Sequence, residues 1–262
     1  ADRGEWNWQT FADIAKSTTR DIDGDGVIDQ WGVGADNVTN FCIAIMRSNL
    51  ASMIARTDSG EYVYNLQSPQ ALRALQFVSD LYHSYKVTPN KDITNDFKQG
   101  KAAMFVKDAW YGSVFKREGV TNLGFEIVPS GPDNSGNYYM REQGSHMFFF
   151  PSNLEDPEPV VNAMAHWCVI WDETKNYYVT DEEMVMSTAQ DNFDTEENIN
   201  NLVEMVTTKQ ILYDYIDYFS PSKTEITNNV FKNIAAQQIT PVSSIEALSG
   251  RIQSIINDVM SN

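Results

Sequence analysis

The feature that most restricts the fold of this chain is an aspartate-rich segment, RDIDGDGVIDQWG, at residues 20–32. Four aspartates occur in it, Asp21, Asp23, Asp25 and Asp29, and two of its glycines, Gly24 and Gly26, lie among them. The pattern NWQTFADIAKST before the segment predicts a helix capped by Asn7, and the pattern QWGVGA after it predicts a short strand. The segment therefore predicts a tight acidic turn that joins a helix to a strand.

The aspartates have the spacing of a calcium-binding loop. Calcium ligands at loop positions 1, 3, 5, 7 and 9 would be Asp21, Asp23, Asp25, the Val27 carbonyl and Asp29. Gly26 at position 6 permits the sharp turn, but position 12 is Gly32, where an EF-hand has a bidentate glutamate. Carboxylates this close repel one another without a cation. We expect a structural calcium ion rather than a calcium sensor, and the alternative is a solvated Asp/Gly turn.

The rest of the chain alternates between helical and strand patterns. SPQALRALQFVSDLYHSYK predicts a helix capped by Ser68, with Pro69 in its first turn. AAMFV, LGFEIVPSGP and SHMFFFP predict strands, and DPEPVVNAMAHWCVIW predicts a helix with Val160 and Met164 turned inward. From residue 194 onward the pattern is largely helical. These elements predict an α/β fold that is rich in helix.

The charge of the chain excludes some classes of partner. There are 36 acidic and 19 basic residues among 262, which gives a formal net charge of −17. Such a chain repels nucleic acids and anionic membrane surfaces, so neither is an expected partner. Cys42 and Cys168 lie in apolar runs, and we expect buried free thiols rather than a disulfide.

Residues that could carry chemistry are few. No nucleophile elbow, zinc-protease, P-loop or dinucleotide motif occurs in the sequence. Acidic residues such as Glu126 and Glu142 could be nominated as the two carboxylates of a glycosidase. Trp110 and Tyr111 follow the predicted strand AAMFV, where an aromatic ring can present an apolar face to a sugar. A core position for Trp110 is equally compatible with the residues alone.

Several of these segments occur together, and in this order, in one protein family. WNWQTFADIAKSTTRDIDGDGVIDQWGVG, then FKQGKAAMFVKDAW, then VPSGP resembles the extracellular solute-binding proteins of ABC importers, family 1. The similarity is greatest to the carbohydrate-binding group that includes maltose-binding protein, and it covers nearly the whole chain. The resemblance implies a periplasmic-binding-protein fold of type II, in which two α/β lobes enclose the ligand.

The resemblance also implies a division of the chain into lobes. Residues 1–143 would form the second lobe, residues 144–190 would return to the first lobe, and residues 191–262 would be helices mainly of the second. The family's opening first-lobe sheet, with its signal peptide, would lie upstream of WNW, so we expect this chain to be a C-terminal portion. Half of the ligand cleft would then be missing from it.

Site residues follow from the resemblance position by position. Trp110 matches a tryptophan that stacks on sugar in relatives, and Tyr111 adjoins it. Phe41 and Asn40 fall where the second lobe often contributes an aromatic contact, and Gln143 falls near the presumed hinge. Some relatives hold calcium in the matching aspartate loop, although Gln30 stands where a further acidic ligand can occur.

The resemblance implies a non-catalytic protein that binds a sugar or oligosaccharide and delivers it to the membrane subunits of an ABC permease. It implies an extracytoplasmic location, periplasmic or lipid-anchored at the cell surface, and a monomer. Two alternatives remain at this point: a glycoside hydrolase with paired carboxylates, and a calcium-stabilised extracellular adhesion or scaffold module.

Overall fold

The computed structural model describes residues 5–134, 140–141, 150–151, 153–168, 171–172, 177–178, 180–207, 211–236 and 240–261. Its helices are α1 (Trp8–Thr18), α2 (Val38–Ser48), α3 (Pro69–His83), α4 (Thr94–Lys98), α5 (Tyr111–Arg117), α6 (Glu158–Cys168), α7 (Asp181–Asn192), α8 (Glu196–Thr207), α9 (Ser220–Ile226), α10 (Lys232–Ala236) and α11 (Pro241–Met260). A 3-10 turn (Tyr215–Phe219) precedes α9, and a π-helical turn (Thr227–Phe231) joins α9 to α10.

The strands are short and form two-stranded pairs. They are β1 (Trp31–Ala35), β2 (Ile54–Arg56), β3 (Tyr62–Tyr64), β4 (Ala102–Val106), β5 (Met140–Arg141), β6 (Trp171–Asp172), β7 (Tyr177–Tyr178) and β8 (Ile211–Leu212). β1 pairs with β4 and β5 with β8 in parallel, whereas β2–β3 and β6–β7 are antiparallel pairs. The described residues confirm an α/β chain that is rich in helix.

The helix before the aspartate segment forms as predicted. The Asn7 side chain accepts hydrogen bonds from the backbone N–H groups of Gln9 at 3.0 Å and Thr10 at 3.2 Å, which caps α1. The chain then turns back so closely that a Cβ on Gly32 would lie 2.0 Å from the Ala15 carbonyl oxygen. Glycine at the start of β1 is therefore what allows this strand to pack against α1.

The main core lies between α1, α2, α3 and the C-terminal helices. α2 and α3 pack against each other, α10 packs against both, and α11 packs against α3. Trp8 and Phe77 stack with ring centroids 4.5 Å apart and planes almost parallel. Ser68 caps α3 by accepting a hydrogen bond from Ala71, with Pro69 in the first turn, as predicted. Cys42 is a buried free thiol, and the side chain of Cys168 lies outside what the structure describes.

The segment LGFEIV was predicted to be a strand, and this prediction is wrong. Residues 123–129 form no strand and pair with none of the described strands. Side chains satisfy their backbone groups instead: the Asn198 amide bonds to Leu123 and Phe125, and the Trp6 indole donates to the Ile127 carbonyl at 2.6 Å. The apolar residues of this segment thus face helix side chains rather than a sheet partner.

α6 also departs from the expectation. The helix is present, but Val160 is 39% exposed and the neighbouring Val161 is 44% exposed, so the predicted inward face is wrong at Val160. Met164 is half-buried. Most of the predicted strand SHMFFFP lies outside the described residues, and the assignment of the three ranges to lobes stays a prediction.

A second, smaller core joins α5, α7 and α8. Ala189, Phe193 and Leu202 are buried there against Ala109 and Phe125. Within the described part of the chain, no helix has the combined length and apolar character that crossing a membrane requires.

Candidate ligand-binding site

The candidate site lies at the carboxyl ends of the parallel strands β1 and β4. In their register Ala35 pairs with Val106, so the next residues, Asp36 and Lys107, come to lie side by side beyond the sheet. The Lys107 ammonium forms an ion pair with the Asp36 carboxylate there. Ligands of open α/β sheets bind outside the carboxyl ends of the strands, so this edge is a candidate ligand site.

Two adjacent aromatic rings follow β4, one exposed and one half-buried. The Trp110 side chain is 52% exposed, which excludes the core position that the sequence left open. Its ring centroid lies 4.5 Å from that of Tyr111, the first residue of α5. The Lys107 ammonium lies 4.3 Å from the Tyr111 ring centroid, a cation–π distance. The Lys107 ammonium of the ion pair thus contacts the Tyr111 ring, and the Tyr111 ring in turn contacts the Trp110 ring.

Trp110 opens onto a cavity of about 280 Å³, which we call the Trp110 cavity. Its other lining residues include Asn40, Ile43, Arg47, Lys107, Asp108 and Glu126. The Arg47 side chain is held from behind by Asp214, whose carboxylate lies 3.2 Å away and is almost fully buried. This cavity offers one flat apolar ring together with several polar groups.

Beyond Asp36 lies a second hollow of about 560 Å³, which we call the asparagine groove. Its polar lining residues are Asp36, Asn37, Tyr82, Asn90, Lys91, Asp92, Asn228, Lys232 and Asn233. An asparagine amide can donate and accept hydrogen bonds at once, as a sugar hydroxyl can. Asn37, Asn228 and Asn233 each make a hydrogen bond within the protein, and the amide atoms that these bonds leave over could bind the hydroxyl groups of a ligand.

Asp92 contributes a fixed negative charge to this groove. Burial alone would raise the pKa of Asp92, but hydrogen bonds from the hydroxyl and the backbone N–H of Thr94 outweigh burial and lower this pKa. Asp92 is therefore ionised at neutral pH and can act only as a hydrogen-bond acceptor.

A third cavity, of about 420 Å³, lies between β4, α5, α8 and residues 123–129. Its walls are largely phenylalanine rings in mutual contact, such as Phe97 and Phe105 at 5.2 Å and Phe105 and Phe115 at 5.8 Å. The asparagines in its lining, Asn198 and Asn201, already bond to the backbone of residues 123–125. It is a seam in the packing rather than a polar binding site.

The predicted ligand residues divide among these places. Asn40 and Trp110 line the same cavity, whereas Tyr111, whose ring is tilted by 51° against that of Trp110, lines the third cavity. Phe41 is fully buried and packs edge-on against Tyr82 at 6.2 Å, so its side chain takes no part in either hollow. Gln143 lies outside the described residues, as does Glu142 of the nominated glycosidase pair.

Sequence reasoning missed Asp36, Lys107 and the asparagines of the groove. A signal for the first two exists, because each is the first charged residue after a predicted strand, in GVGAD and AMFVKD. The asparagines come from three separate parts of the chain, around residues 37, 90 and 228–233, and no local pattern connects them.

The aspartate segment forms a compact, exposed loop. Carboxylate oxygens of Asp21, Asp23 and Asp29 lie within 4.8 Å of one another. Backbone N–H groups hold these carboxylates: Gly24 and Gly26 donate to Asp21, and Ile22 donates to Asp29. Gly24 and Gly26 have φ of 79° and 89°, which favours glycine. Three converging carboxylates are the oxygen ligands that a hard divalent cation prefers.

One of the predicted calcium ligands lies outside this cluster. Asp25 is not one of the three converging carboxylates, and its Oδ1 accepts a hydrogen bond from the Val27 N–H at 2.7 Å. None of the loop residues lines the Trp110 cavity or the asparagine groove.

No protein-family model matches the chain, and no curated protein matches it. Solved structures do match. A maltose/maltodextrin-binding domain MalE from Bdellovibrio bacteriovorus, bound to maltotriose, superposes with a TM-score of 0.64 at 15% identity, over 98% of this chain and 67% of that one. The cyclic α-maltosyl-1,6-maltose-binding protein of Arthrobacter globiformis matches with a TM-score of 0.69 at 13% identity, over 97% and 65%.

A third match is UgpB from Mycobacterium tuberculosis in complex with glycerophosphocholine, with a TM-score of 0.61 at 17% identity, over 98% of this chain and 64% of that one. The chain thus spans about two thirds of the length of the structures that it matches. At these identities the likeness establishes the fold, and the ligand has to be argued from the site.

Proposed function

We propose that this chain, which has the type II periplasmic-binding-protein fold, belongs to the solute-binding component of an ABC importer and binds a sugar or oligosaccharide. The observation that carries the proposal is Trp110, a half-exposed ring beside the carboxyl ends of β1 and β4 that lines a cavity with several polar groups. Several structural neighbours are sugar-binding proteins, with ligands such as maltotriose and maltotetraose, and UgpB holds glycerophosphocholine.

The two parts of the site suit the two faces of a sugar ring. The C–H face of a pyranose can pack on the Trp110 ring, which is apolar and flat. Its hydroxyls can exchange hydrogen bonds with the asparagine amides and carboxylates of the groove. In a two-lobed protein of this fold, a second lobe would close over the ligand, and the closed state is what a permease would recognise.

A non-catalytic role is part of this proposal. The structural neighbours are binding proteins, which supports the role at the level of the fold. A glycoside hydrolase would instead need an acid and a second carboxylate at a fixed separation across the scissile bond. Incubation with chromogenic glycosides should give no saturable turnover. If turnover were seen, and if neutralising Glu126 abolished it, the protein would be a hydrolase and the transport proposal would be wrong.

Location and assembly follow from the same role. A protein that delivers solute to an importer works outside the cytoplasmic membrane, so we place it in the periplasm or at the cell surface, as a monomer. Light scattering at micromolar concentration checks the monomer, and surface labelling of intact cells checks the location.

The direct test is a titration of the purified protein with a panel of uncharged sugars from monosaccharides to maltodextrins, followed by calorimetry. Binding should be saturable with one site, and the Trp110 fluorescence should change on binding because the ring becomes covered. Failure of every sugar to bind, together with binding of a different solute class, would exclude the carbohydrate assignment.

We also propose that the loop at residues 21–29 holds one structural calcium ion. The three converging carboxylates of Asp21, Asp23 and Asp29 fit the hard-oxygen chemistry of this ion. Asp25 and the Val27 carbonyl would complete the set if the loop tightened around the ion. Because the loop lines neither hollow, calcium would stabilise the fold without contacting the ligand.

A further inference from the structure

The proposed function leaves the charge of the ligand open, and the ion pair between Asp36 and Lys107 bears on it. The two side chains are largely shielded from solvent, with 19% and 11% of their surfaces exposed. A shielded charge acts strongly on a neighbouring ligand, because little water screens it. The electrostatic effect of this pair on a ligand therefore depends on how completely its two charges cancel.

Contacts on both sides hold the pair in place. The Lys107 ammonium is engaged by the Asp36 carboxylate and by the face of the Tyr111 ring. The Asp36 carboxylate also accepts hydrogen bonds from the Asn37 N–H at 2.9 Å and from the Asn40 amide at 3.3 Å. The pair therefore joins the ends of β1 and β4 to the first turn of α2, and neither charge can swing away without breaking several contacts.

The pair also stands between the two hollows. Lys107 lines the Trp110 cavity and Asp36 lines the asparagine groove, so a ligand that reaches from the ring to the groove passes over both. The remaining described charges of the cavity are Arg47, which is paired with the buried Asp214, and the carboxylates of Asp108 and Glu126. In the groove Lys91 is paired with Asp96, and Lys232 stands with Asp92. Nothing in this arrangement of described residues favours an anion at its centre.

We propose that the Asp36–Lys107 pair is a specificity determinant that selects uncharged, hydroxyl-rich ligands and rejects phosphorylated or carboxylated ones. The ammonium can only donate and the carboxylate can only accept, so together they satisfy adjacent hydroxyls that both donate and accept. An anionic group near Lys107 would meet the repulsion of Asp36 at the same distance. This inference rests on the proposed function, because it specifies the sugar that the site takes.

The test compares three probes of different charge, maltotriose, glucose 6-phosphate and glucosamine, and follows how each affinity ratio changes between variants, so that the difference in probe size cancels. Their binding to the purified protein is measured by calorimetry and ligand-observed NMR at pH 7 and low salt. Asp36→Asn leaves the Lys107 charge uncompensated, and the affinity ratio of glucose 6-phosphate to maltotriose should rise by at least about tenfold. Lys107→Met should shift preference toward glucosamine by a similar factor, and the double variant should restore the preference for the uncharged sugar.

Two control variants separate specificity from stability. Asp13→Asn makes the same change in net charge on the exposed side of α1, where Asp13 lies 3.5 Å from Lys16, and it should leave every ratio unchanged. Lys107→Arg keeps the charge and should keep the wild-type selectivity even if the overall affinity falls. Should Asp36→Asn fail to fold, the comparison of Lys107→Met with Lys107→Arg still decides the matter.

The outcomes for the two proposals differ. If the wild type binds maltotriose but the single variants keep its probe ratios, the charge-selection proposal is overturned while the carbohydrate function stands. If the wild type prefers glucose 6-phosphate, charge selection is likewise excluded. If the wild type binds no sugar, the carbohydrate function fails, and titration with inorganic phosphate tests the charge-selection proposal on its own. Phosphate that binds to Asp36→Asn but not to the wild type supports charge selection. Equal phosphate binding by the two proteins overturns it.

Discussion

The side-chain amide of Asn198 bonds to the backbone on both sides of Gly124: it accepts from the Phe125 N–H at 2.8 Å and donates to the Leu123 carbonyl at 2.6 Å. Asn198 is buried on α8, so these bonds are shielded from water. One asparagine therefore supplies the hydrogen bonds that a neighbouring strand would otherwise make, and it fixes the segment that carries Glu126 past the Trp110 cavity.

Asn198→Ala should lower the free energy of unfolding by about 1–3 kcal/mol, because it leaves buried backbone groups unpaired. Urea unfolding followed by circular dichroism measures the change. Asn229→Ala is the matched control: this exposed asparagine bonds to Glu225 within one helix, and its loss should cost well under about 1 kcal/mol. Equal losses for the two variants would mean that residues 123–125 do not depend on Asn198.

This bond also explains which parts of the fold the sequence could predict. α1 and α3 were predictable because their caps, Asn7 and Ser68, lie within three residues of the N–H groups that they accept. Residues 123–129 were not, because the partner of Phe125 is 73 residues away and on a helix. An apolar run shows that a segment is buried, but it does not show what the segment is buried against.

The residues of the candidate site also differ in how far the sequence could predict them. Trp110 and Asn40 were predicted as ligand contacts from the family resemblance, and they line one cavity; their contact with a ligand stays a prediction. Phe41 was not distinguishable from Asn40, because neighbouring residues on a helix point in different directions and only the packing shows that Phe41 is buried. The meeting of Asp36 and Lys107 depends on the register of β1 and β4, which the sequence alone does not give.

Arg47→Met should destabilise the protein by about 3–5 kcal/mol, because the nearly buried Asp214 carboxylate would lose its cation. Asp214 also accepts from the N–H groups of Met53 and Ile54, so the loss would spread to the start of β2. Arg251→Met removes an exposed ion pair with Glu225 and should cost no more than about 1 kcal/mol. If the denaturant midpoint decreased by the same amount in both variants, the buried Arg47–Asp214 pair would contribute no more to stability than the exposed pair.

Stability should fall in alkaline solution. Burial raises the pKa values of the Cys42 thiol and of the Tyr64 and Tyr82 phenols above their ordinary values. In the unfolded chain the thiol ionises near pH 8.5 and the phenols near pH 10. Above these pH values the unfolded state binds fewer protons than the folded state, so the free energy of unfolding decreases as the pH rises. These groups leave stability unchanged below about pH 8.

Urea unfolding between pH 7 and pH 10.5 measures this slope. Tyr82→Phe should reduce it, because one buried phenol no longer ionises on unfolding, whereas Tyr213→Phe should not, since Tyr213 is exposed. A slope that Tyr82→Phe leaves unchanged would assign the alkaline loss to other groups.

Removal of divalent cations should lower the melting temperature by several degrees, since a ligand at 100 times its Kd stabilises the folded state by about 2.7 kcal/mol. Calorimetry with calcium and with a chelator measures the difference. Asp21→Asn should abolish it, because Asp21 is one of the three converging carboxylates, while Asp58→Asn, outside this cluster, should not. Melting that is insensitive to chelation would leave residues 21–29 as an acidic turn.

Trp110→Ala should weaken sugar binding by about 1–3 kcal/mol, the range for covering an apolar side chain. The ring is half-exposed in the absence of ligand, so its removal should leave the melting temperature almost unchanged and act on affinity alone. Tyr218→Ala is the matched control, because Tyr218 is an even more exposed aromatic that lines neither hollow. Calorimetric titrations that give the same Kd for wild type and Trp110→Ala would remove this ring from the site, and the asparagine groove would then have to bind the ligand without it.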